Sequence, residues 1–359
     1  MPVPQAALTD PFHIGPVRIP NRVVLAPLAG IGNWFVRLQA KRYGAGLAVS
    51  EMVSSFGVHY GNEKTCVEML RIHPDERAGD RGPVSIQLFG QDPEIMRSAA
   101  ATVAERGADL IDLNMGCPVP MVCKTGAGAA LIKDPDTAVA VARAAREGSG
   151  KPVTVKLRSG SVPGDRTSGI ELAHRLVHDA GVSAIGFHPR SAAVHHKGVP
   201  DYDLAAKLVE SLDAPVILTG GLSDRDAVLD AYERTGAAAV MLARGSLGNP
   251  WLFAQLLGER DDEPSEAEVL AELDWLMDRA VEHMGPVRGA RWLRKAYPWY
   301  VDRMGGGKEL QAALQATESV EDARAALAPQ RDRHLAGDGV AGRVDGRDLE
   351  RQLRRAHAA

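Results

Sequence analysis

The sequence contains few cysteines. Only Cys66, Cys117 and Cys123 occur in 359 residues, an odd number with no CxxC pair and no histidine-rich partner segment. Neither a disulfide framework nor a zinc site is indicated, and we expect no metal site. A chain of this length can bury a large core without disulfides, which is typical of a protein from a reducing cytoplasm.

Membrane signals are also missing. The first residues, MPVPQAALTDPF, lack a charged segment followed by an apolar stretch, so no signal peptide is predicted. No window approaches the roughly 18 uninterrupted apolar residues of a membrane span. We therefore expect a cytoplasmic protein without a membrane partner.

The chain has no excess of positive charge. Its formal net charge is −4, so the total does not indicate a nucleic-acid binder, although a local patch can still bind one. One such patch comprises Arg288, Arg291, Arg294 and Lys295, within about two helical turns. On its own, this patch is typical of a solvent-exposed helix face.

Short apolar runs alternate with helical patterns from residue 22 to about residue 258. The runs are nearly continuous in Val, Ile, Leu and Ala, as expected for a parallel sheet covered on both faces. Several helical patterns start at Asp-Pro and end at Gly, as capping chemistry predicts. The predicted strands are 22–27, 47–51, 84–89, 109–114, 152–157, 183–188, 215–220 and 238–243.

Eight strands with intervening helices predict an α/β fold, a (β/α)8 TIM barrel over residues 1–258. The alternative, a doubly wound open sheet, usually carries GxGxxG after its first strand, whereas this chain reads LAPLAGIGNW. The segment HIGPVRIPN predicts a hairpin that closes the N-terminal end of the barrel. Residues 263–328 predict a small all-helical C-terminal domain, and residues 330–359 predict a mobile tail.

Polar side chains and tight turns follow successive predicted strands. Because barrel active sites lie at the C-terminal ends of the strands, these residues predict a site. The turns at 219–221 and 243–245 each follow a strand and precede a helix start, so we expect an anion such as phosphate there, with ordinary turn chemistry as the alternative. The residues are Pro27, Leu28, Ala29, Glu51, Gln87, Asn114, Cys117, Lys156, His188, Arg190, Gly220, Gly221 and Arg244.

Two of these residues carry chemical hypotheses. Lys156 can be a cation beside a reduced flavin, a Schiff-base nucleophile or one member of an ion pair with Glu51. Cys117, in the turn NMGCPVP, can be a buried filler or a proton donor. An ordinary cysteine has a pKa near about 8.5 and is protonated at neutral pH, which suits a donor, whereas a nucleophile would need activation. We interpret Cys66 and Cys123 as structural and His195-His196 as loop surface.

Seven segments together resemble the bacterial tRNA-dihydrouridine synthases. They are LAPLAG, SEMVS, VSIQLFGQDPE, DLNMGCPVP, KTGAGAALIKDP, PVTVKLRSG and MLARGSLGNPWLF, and the resemblance covers roughly residues 12–305. It implies an oxidoreductase that uses FMN and NADPH to reduce the C5=C6 bond of particular uridines in tRNA. We expect a monomer.

The resemblance also implies roles for individual residues. Cys117 corresponds to the catalytic acid that protonates C5 of the uracil. The flavin ring would lie at Pro27, Leu28 and Ala29, with Gln87 and Lys156 at its polar edge. The ribityl chain and phosphate would lie at His188, Thr219, Gly220, Gly221, Ala243 and Arg244. The uracil would contact Asn114 and Arg190, and the tRNA would contact Arg291, Arg294 and Lys295.

The chain departs from the family pattern at four places. It has HPR at 188–190 instead of His-Gly-Arg, TGG at 219–221 instead of Asn-Gly-Asp, and Met121 instead of Lys. The loop SAAVHHKG, which includes His195, lacks an aromatic residue that relatives often carry. Three alternatives therefore stay open: an FMN barrel enzyme acting on a free pyrimidine, an aldolase-like lyase that uses Lys156, and a tRNA-binding protein without catalysis.

Overall fold

A two-stranded hairpin opens the chain and a closed barrel of eight parallel strands follows it. This computed structural model describes residues 5–195 and 197–337. The hairpin strands are β1 (Phe12–Ile14) and β2 (Val17–Ile19). The barrel strands are β3 (Val23–Leu25), β4 (Leu47–Ser54), β5 (Val84–Phe89), β6 (Leu110–Met115), β7 (Val153–Arg158), β8 (Ala184–His188), β9 (Val216–Thr219) and β10 (Ala239–Leu242).

Each barrel strand pairs with its neighbours in chain order, and β10 pairs with β3 to close the barrel. In the closing pair Leu242 lies opposite Leu25. All eight predicted strands are present, so the predicted TIM barrel is confirmed. The apolar runs identified it because every strand is covered on both faces, by helices outside and by the opposite strands inside.

The predicted N-terminal hairpin is also present. Phe12 lies opposite Ile19 in its ladder, and both side chains are buried in one cluster with the barrel residues Val24, Leu110 and Ala239. These barrel residues stand at or near the first positions of their strands. The hairpin therefore covers the N-terminal end of the barrel and leaves the C-terminal end for a site.

Nine helices follow the barrel strands within the described residues. Two of them begin as the Asp-Pro pattern predicts, because the side chains of Asp92 and Asp134 accept backbone N–H groups of the first turn. The helices are α1 (Trp34–Arg42), α2 (Ser55–His59), α3 (Pro93–Glu105), α4 (Pro120–Cys123), α5 (Pro135–Ser149), α6 (Ser168–Ala180), α7 (Tyr202–Ser211), α8 (Arg225–Thr235) and α9 (Trp251–Leu256).

A second compact unit is helical. Within the described residues, the barrel unit extends to residue 246 and includes 252–260, whereas the second unit comprises 247–251 and 261–337. The sequence predicts residues 247–251 as part of the barrel, whereas here they belong to the second unit. Gly248 explains the difference, because a Cβ atom there would lie 2.7 Å from Cβ of Trp299. The helices are α10 (Glu266–Met284), α11 (Pro286–Leu293), α12 (Tyr297–Arg303), α13 (Gly307–Ala316) and α14 (Val320–Gly337).

The predicted tail begins inside a helix. Helix α14 continues to Gly337, so its last eight residues, 330–337, lie in the segment predicted as a tail, beyond the predicted end of the helical domain at residue 328. Arg324 and Arg331 on α14 pair with Asp274 on α10, at 3.2 and 2.5 Å, and these ion pairs hold the helix against its neighbour. Residues 338–359, the rest of the predicted tail, lie outside the described residues.

None of the described helices is long and apolar enough to cross a membrane.

Candidate active site

The predicted site residues on β5, β6, β7 and β8 lie next to one another at the C-terminal end of the barrel. Gln87 is in register with Asp112, and Asn114 is in register with Lys156. Because alternate residues of a strand face the same side, Asp112 and Asn114 both point inward. Beneath them lies an apolar layer that includes Leu110, Ala184 and Met241. The polar residues therefore form the layer above this apolar core.

Asn114 holds the turn that contains Cys117. Its amide oxygen accepts the backbone N–H of Cys117 at 2.9 Å and that of Gly116 at 3.3 Å. Its amide nitrogen donates to the amide oxygen of Gln87 at 2.9 Å. The predicted strand-end residues Gln87 and Asn114 thus reach the cysteine turn directly.

Cys117 is half-buried in this turn. Burial raises the pKa of its thiol, while a hydrogen bond from the Val119 N–H opposes the shift. The thiol therefore keeps its proton at neutral pH, as a general acid must. The Cys117 carbonyl accepts the Ala129 N–H at 3.0 Å and the Cys123 thiol at 3.2 Å, so Cys123 has a structural role. The Cys66 thiol is equally structural and points to the Val58 carbonyl.

Lys156 is a partly exposed cation beside Asn114. Burial lowers its pKa to about 8, and the nearby Arg158 lowers it further. Within the described residues Lys156 makes no hydrogen bond or salt bridge, and the Glu51 carboxylate instead accepts the N–H of Gly30 at 2.8 Å. The hypothesis of a Lys156–Glu51 ion pair is therefore wrong. The ammonium group is available for an anionic ligand.

Arg158 is a site residue that the sequence reasoning missed. Its guanidinium is buried and donates to the Gly116 carbonyl at 3.0 Å and to the His195 carbonyl at 2.6 Å. It therefore joins the cysteine turn to the loop after β8. Burial lowers its pKa to about 10, which still leaves it charged at neutral pH. The available signal was its spacing, two residues beyond Lys156 on the same inward face.

Arg190 lies with His188 rather than with Asn114. Its guanidinium contacts the His188 ring nitrogen Nε2 at 3.2 Å and donates to the Gly198 carbonyl at 2.6 Å. Its buried Nε has no hydrogen-bond partner within the described residues. Burial lowers the pKa of Arg190, and the positive charge of Arg244 contributes to this shift. Two arginines therefore lie near His188.

The turn after β9 requires glycine at two positions. Gly220 has a φ of +104°, and a Cβ atom there would lie 2.4 Å from the His188 ring. A Cβ atom at Gly221 would lie 2.6 Å from the Tyr202 hydroxyl, which itself donates to the Gly220 carbonyl at 3.0 Å. The turn therefore packs so closely against His188 and Tyr202 that neither position has room for a side chain.

The turns after β9 and β10 touch each other. A Cβ atom at Gly245 would lie 2.4 Å from the Leu222 carbonyl oxygen. Thr219 is buried, Ala243 is partly buried and Arg244 is exposed. Arg244 forms no hydrogen bond or ion pair within the described residues. Glycine backbone and two arginines thus come together, a donor set that suits a phosphate group.

The chain segments that follow these two turns differ from the helix N-termini expected to bind an anion. Helix α8 begins at Arg225, and the carboxylate of Asp224 accepts the Ala227 N–H at 3.0 Å. A negative charge at this position disfavours an anion. Behind β10 the chain forms only a short 3-10 turn, Arg244–Ser246. The N-terminus of α8 is therefore already capped by Asp224, and anion binding by the turn after β10 stays a prediction.

A rigid loop follows β3. The carbonyl of Leu28 accepts the Ile31 and Gly32 N–H groups at 3.0 and 2.7 Å, and the Gly32 carbonyl accepts the Glu51 N–H at 3.0 Å. Leu28 is buried, Pro27 is half-buried and Ala29 is exposed. Glu51 thus holds an apolar loop at the barrel mouth, which suits one edge of a planar ring.

A model of dihydrouridine synthases matches residues 24–334. The chain belongs to the dihydrouridine synthase family. A tRNA-dihydrouridine synthase B of Xanthomonas axonopodis pv. citri is 34% identical over 321 residues, covering 88% of this chain and 94% of the relative. One of Pseudomonas aeruginosa is 32% identical over 339 residues, covering 92% and 98%. The family recognised from the sequence motifs is confirmed.

The barrel of this member of the dihydrouridine synthase family resembles those of solved enzyme structures. An old yellow enzyme homologue from Zymomonas mobilis aligns with a TM-score of 0.55 and 15% identity, over 74% of this chain and 96% of that chain. Morphinone reductase in complex with tetrahydroNAD gives 0.54 and 16%, over 74% and 94%. These identities establish the fold alone. Family membership does not favour the lyase or the enzyme for a free pyrimidine.

Two departures from the family pattern lie at exposed positions, whereas His188 and Thr219 of the other two are buried. Met121 stands on α4, four residues after Cys117, with 79% of its side chain exposed. His195 is exposed with a positive φ of 53°, and His196 lies outside the described residues. The described residues contain no cluster of three or more histidine, cysteine or acidic side chains that could hold a metal ion.

The basic patch of the helical unit is smaller than predicted. Arg288 and Arg291 are exposed on α11, three positions apart, and Lys295 is exposed in the turn that follows this helix. Arg294 instead donates a hydrogen bond to the Thr317 carbonyl at the C-terminal end of α13, at 2.7 Å. It therefore has a structural contact and does not belong to the exposed basic patch. Trp292 and Tyr297 are buried in the core of the unit. They do not offer faces for stacking with bases.

Proposed function

We propose that this protein is an FMN-dependent tRNA-dihydrouridine synthase that uses NADPH to reduce the C5=C6 bond of a uridine. Membership of the family supports the reaction class. The observation that carries the proposal is the turn with Cys117, whose backbone N–H is held by Asn114 beside Lys156 at the barrel mouth. Burial raises the pKa of the Cys117 thiol, which suits a proton donor. This arrangement offers an acid and a cation to one ligand.

The residues present fit FMN. The unpartnered Nε of Arg190, the glycine backbone at 220–221 and the exposed Arg244 suit its phosphate. The apolar loop after β3 suits its ring, and Lys156 suits a negative charge on it. When bound, FMN would transfer the hydride that originates from NADPH to C6 of the uracil. Arg190 is therefore assigned to the phosphate in this proposal and not to the uracil.

The side chains of this chain would complete the reduction. Hydride addition at C6 leaves negative charge on the uracil, and the Cys117 thiol donates its proton to C5. Asn114 keeps the thiol in place through the Cys117 N–H. The cations Lys156 and Arg158 lower the energy of negative charge in this layer, because burial weakens screening by water.

The proposed substrate is a nucleotide that has left the stacked tRNA. A uracil must be turned out of the stack to reach a cavity enclosed by strand ends. In the helical unit Arg288, Arg291 and Lys295 form an exposed basic face that suits phosphates. We propose that this face binds tRNA and that the enzyme is a monomer, which sedimentation of the purified protein would test.

Substitution of Cys117 by alanine tests the chemistry. Cys117→Ala should slow tRNA reduction by about 10²-fold or more, the usual scale for loss of a general acid. Reduction of the flavin by NADPH should stay normal, because that step needs no proton from the thiol. Cys66→Ala is the matched control. Equal losses in both half-reactions would show that Cys117 is only structural.

Dihydrouridine mapping tests the function itself. tRNA from cells with and without this protein should differ at one or more uridines, and the purified protein should bind FMN. A colourless protein that takes up no FMN would overturn the proposal.

A separate measurement tests the basic face. Arg291→Ala should weaken tRNA binding and reduce the salt dependence by about one phosphate contact. Lys308→Ala, on the exposed side of α13, is the control. If Arg291→Ala and the control bind tRNA equally well, the face does not contact tRNA.

A further inference from the structure

A buried carboxyl group lies one hydrogen bond beyond Gln87. Asp112 is the third residue of β6 and is only 3% exposed. Its carboxylate accepts a hydrogen bond from the amide nitrogen of Gln87 at 2.6 Å and another from the hydroxyl of Thr154 at 2.5 Å. The three residues are in register on β5, β6 and β7. They form one rung across the inside of the barrel.

From Asp112 the hydrogen bonds continue to the catalytic turn in a single direction. Gln87 donates to Asp112, Asn114 donates to the oxygen of Gln87, and Cys117 donates its backbone N–H to the oxygen of Asn114. Each amide in this series donates at one end and accepts at the other. The series joins the barrel interior to the turn through two side-chain amides.

We propose that Asp112 is a positioning residue that sets the direction of this amide series and so holds the Cys117 turn in place. The inference rests on the proposed function for its catalytic meaning, although the geometry stands without it. No other part of the proposed mechanism uses Asp112.

The groups at the two ends of the series allow only one donor-to-acceptor direction for its hydrogen bonds. An ionised carboxylate only accepts hydrogen bonds, and a backbone N–H only donates them. If both amides were turned over, the oxygen of Gln87 would face the Asp112 carboxylate and the nitrogen of Asn114 would face the Cys117 N–H. Both contacts would be repulsive, and buried groups would lose their partners. Asp112 therefore excludes the reversed arrangement from one end.

The chemistry of Asp112 permits a sharp control. Burial raises its pKa to about 6, and a proton on the oxygen that faces Thr154 leaves the other oxygen free to accept from Gln87. Asparagine at this position can do the same, with its nitrogen toward the Thr154 hydroxyl. Leucine has a similar volume and offers no acceptor. An acceptor that faces the Gln87 amide nitrogen, and not a charge, is therefore what the series requires of residue 112.

Iodoacetamide labelling of the purified full-length protein tests the proposal. The rate at Cys117 would be read by peptide mass spectrometry, with Cys66 in the same molecule as the reference. In Asp112→Leu the released turn should expose the thiol, and labelling of Cys117 should accelerate about tenfold, the scale of one lost hydrogen bond. tRNA reduction by this variant should fall by a similar factor.

Two variants should retain the slow labelling of Cys117. Asp112→Asn keeps the acceptor for Gln87, and Thr154→Val removes a partner of Asp112 that lies outside the series. Gln87→Met interrupts the series at its middle and should accelerate labelling as Asp112→Leu does, so the test does not depend on the folding of one variant.

Two outcomes would overturn the proposal. Either Gln87→Met and a folded Asp112→Leu label at the wild-type rate, or Asp112→Asn labels as fast as the variants that interrupt the series. Because labelling needs neither flavin nor tRNA, this result is separate from the proposed function. A protein that makes no dihydrouridine yet labels as expected would refute only the function.

Discussion

Lys41 on α1 and Lys156 on β7 are both lysines whose pKa is lowered by burial, to about 7 and to about 8. Their surroundings differ. The ammonium group of Lys41 donates to three backbone carbonyls, those of Glu76, Gly82 and Pro83, at 2.8 to 2.9 Å. Lys156 has no such acceptor within the described residues.

The buried charged groups around Lys41 satisfy one another's hydrogen bonds. Arg37 and Glu76 are fully buried there and form an ion pair at 2.7 Å, with a second hydrogen bond at 2.9 Å. Glu76 also accepts the His73 N–H at 2.9 Å. Every donor of Lys41 is used, so this cluster holds the segment between β4 and β5 and offers nothing to a ligand.

The comparison shows that a lowered pKa alone does not identify a functional lysine. Desolvation shifts both groups in the same direction. The distinguishing observation is whether the buried charge already has its hydrogen bonds. Lys41 has three and is structural, whereas Lys156 has none and lies beside Asn114 at the barrel mouth, which favours a ligand as its partner.

The largest expected effect concerns the structural cluster. Arg37→Met leaves the buried Glu76 carboxylate without its partner and should lower the free energy of unfolding by about 3–5 kcal/mol. Urea titration measures this. Arg225→Met, an exposed arginine on α8, is the control and should change the value by less than about 0.5 kcal/mol. Equal stability of the two variants would show that the ion pair contributes little.

Lys156→Met should act on catalysis. Loss of the cation should slow turnover by about 10²-fold, the scale of one lost electrostatic contact to a developing charge. Steady-state reduction of tRNA by NADPH measures this, with Lys207→Met on the exposed side of α7 as the control. Turnover close to that of the control would remove the functional distinction between the two lysines.

Lys41→Met should act on stability and not on turnover. Three buried carbonyls lose their donor, which should lower the free energy of unfolding by about 2–3 kcal/mol. Urea titration would show the loss, while turnover of the folded variant should stay within about twofold of the wild-type value. A large drop in turnover without loss of stability would assign Lys41 to the active site.

The smallest effect depends on pH. The pKa of Lys156 is about 8 in the folded protein and about 10.4 in the unfolded chain. Below pH 8 the lysine is charged in both states, so burial of the charge costs stability; between pH 8 and about 10.4 the folded state binds fewer protons, and this cost disappears.

Flavin-free Lys156→Met should therefore melt a few degrees higher than the wild type below pH 8. The two melting temperatures should converge toward about pH 10. Thermal melts across this range measure the difference. A constant difference at every pH would mean that the charge of Lys156 is not the cause.

Most of the barrel strands and helices could be predicted because each is marked by its own residues and their immediate neighbours in the sequence. The run VSIQLF is apolar along its whole length and forms β5, and Asp92 before Pro93 starts α3 as expected. The cysteine turn was also predictable, since Gly116 and Pro118 on either side of Cys117 disfavour continuation of the strand. Such signals need only neighbouring residues.

Other residues could not be assigned in this way. Arg294 appeared as a member of a basic face, but the Thr317 carbonyl it contacts lies 23 residues away. Arg158 joins two loops through carbonyls 37 and 42 positions distant. Asp112 was read as part of an apolar strand, although its partners stand on two other strands. The sequence around each of these residues does not distinguish it from an ordinary polar residue without such contacts.

The amino-acid sequence alone thus determined eight buried strands, their helices and a cysteine in the turn after β6, because burial and capping depend on each segment's own composition. Closure of the barrel decided which side chains meet. It placed Arg190 beside His188, left Lys156 without an acceptor and connected Asp112 to Cys117 through two amides. These relations depend on strand register and on contacts between distant segments, which exist only once the strands have paired.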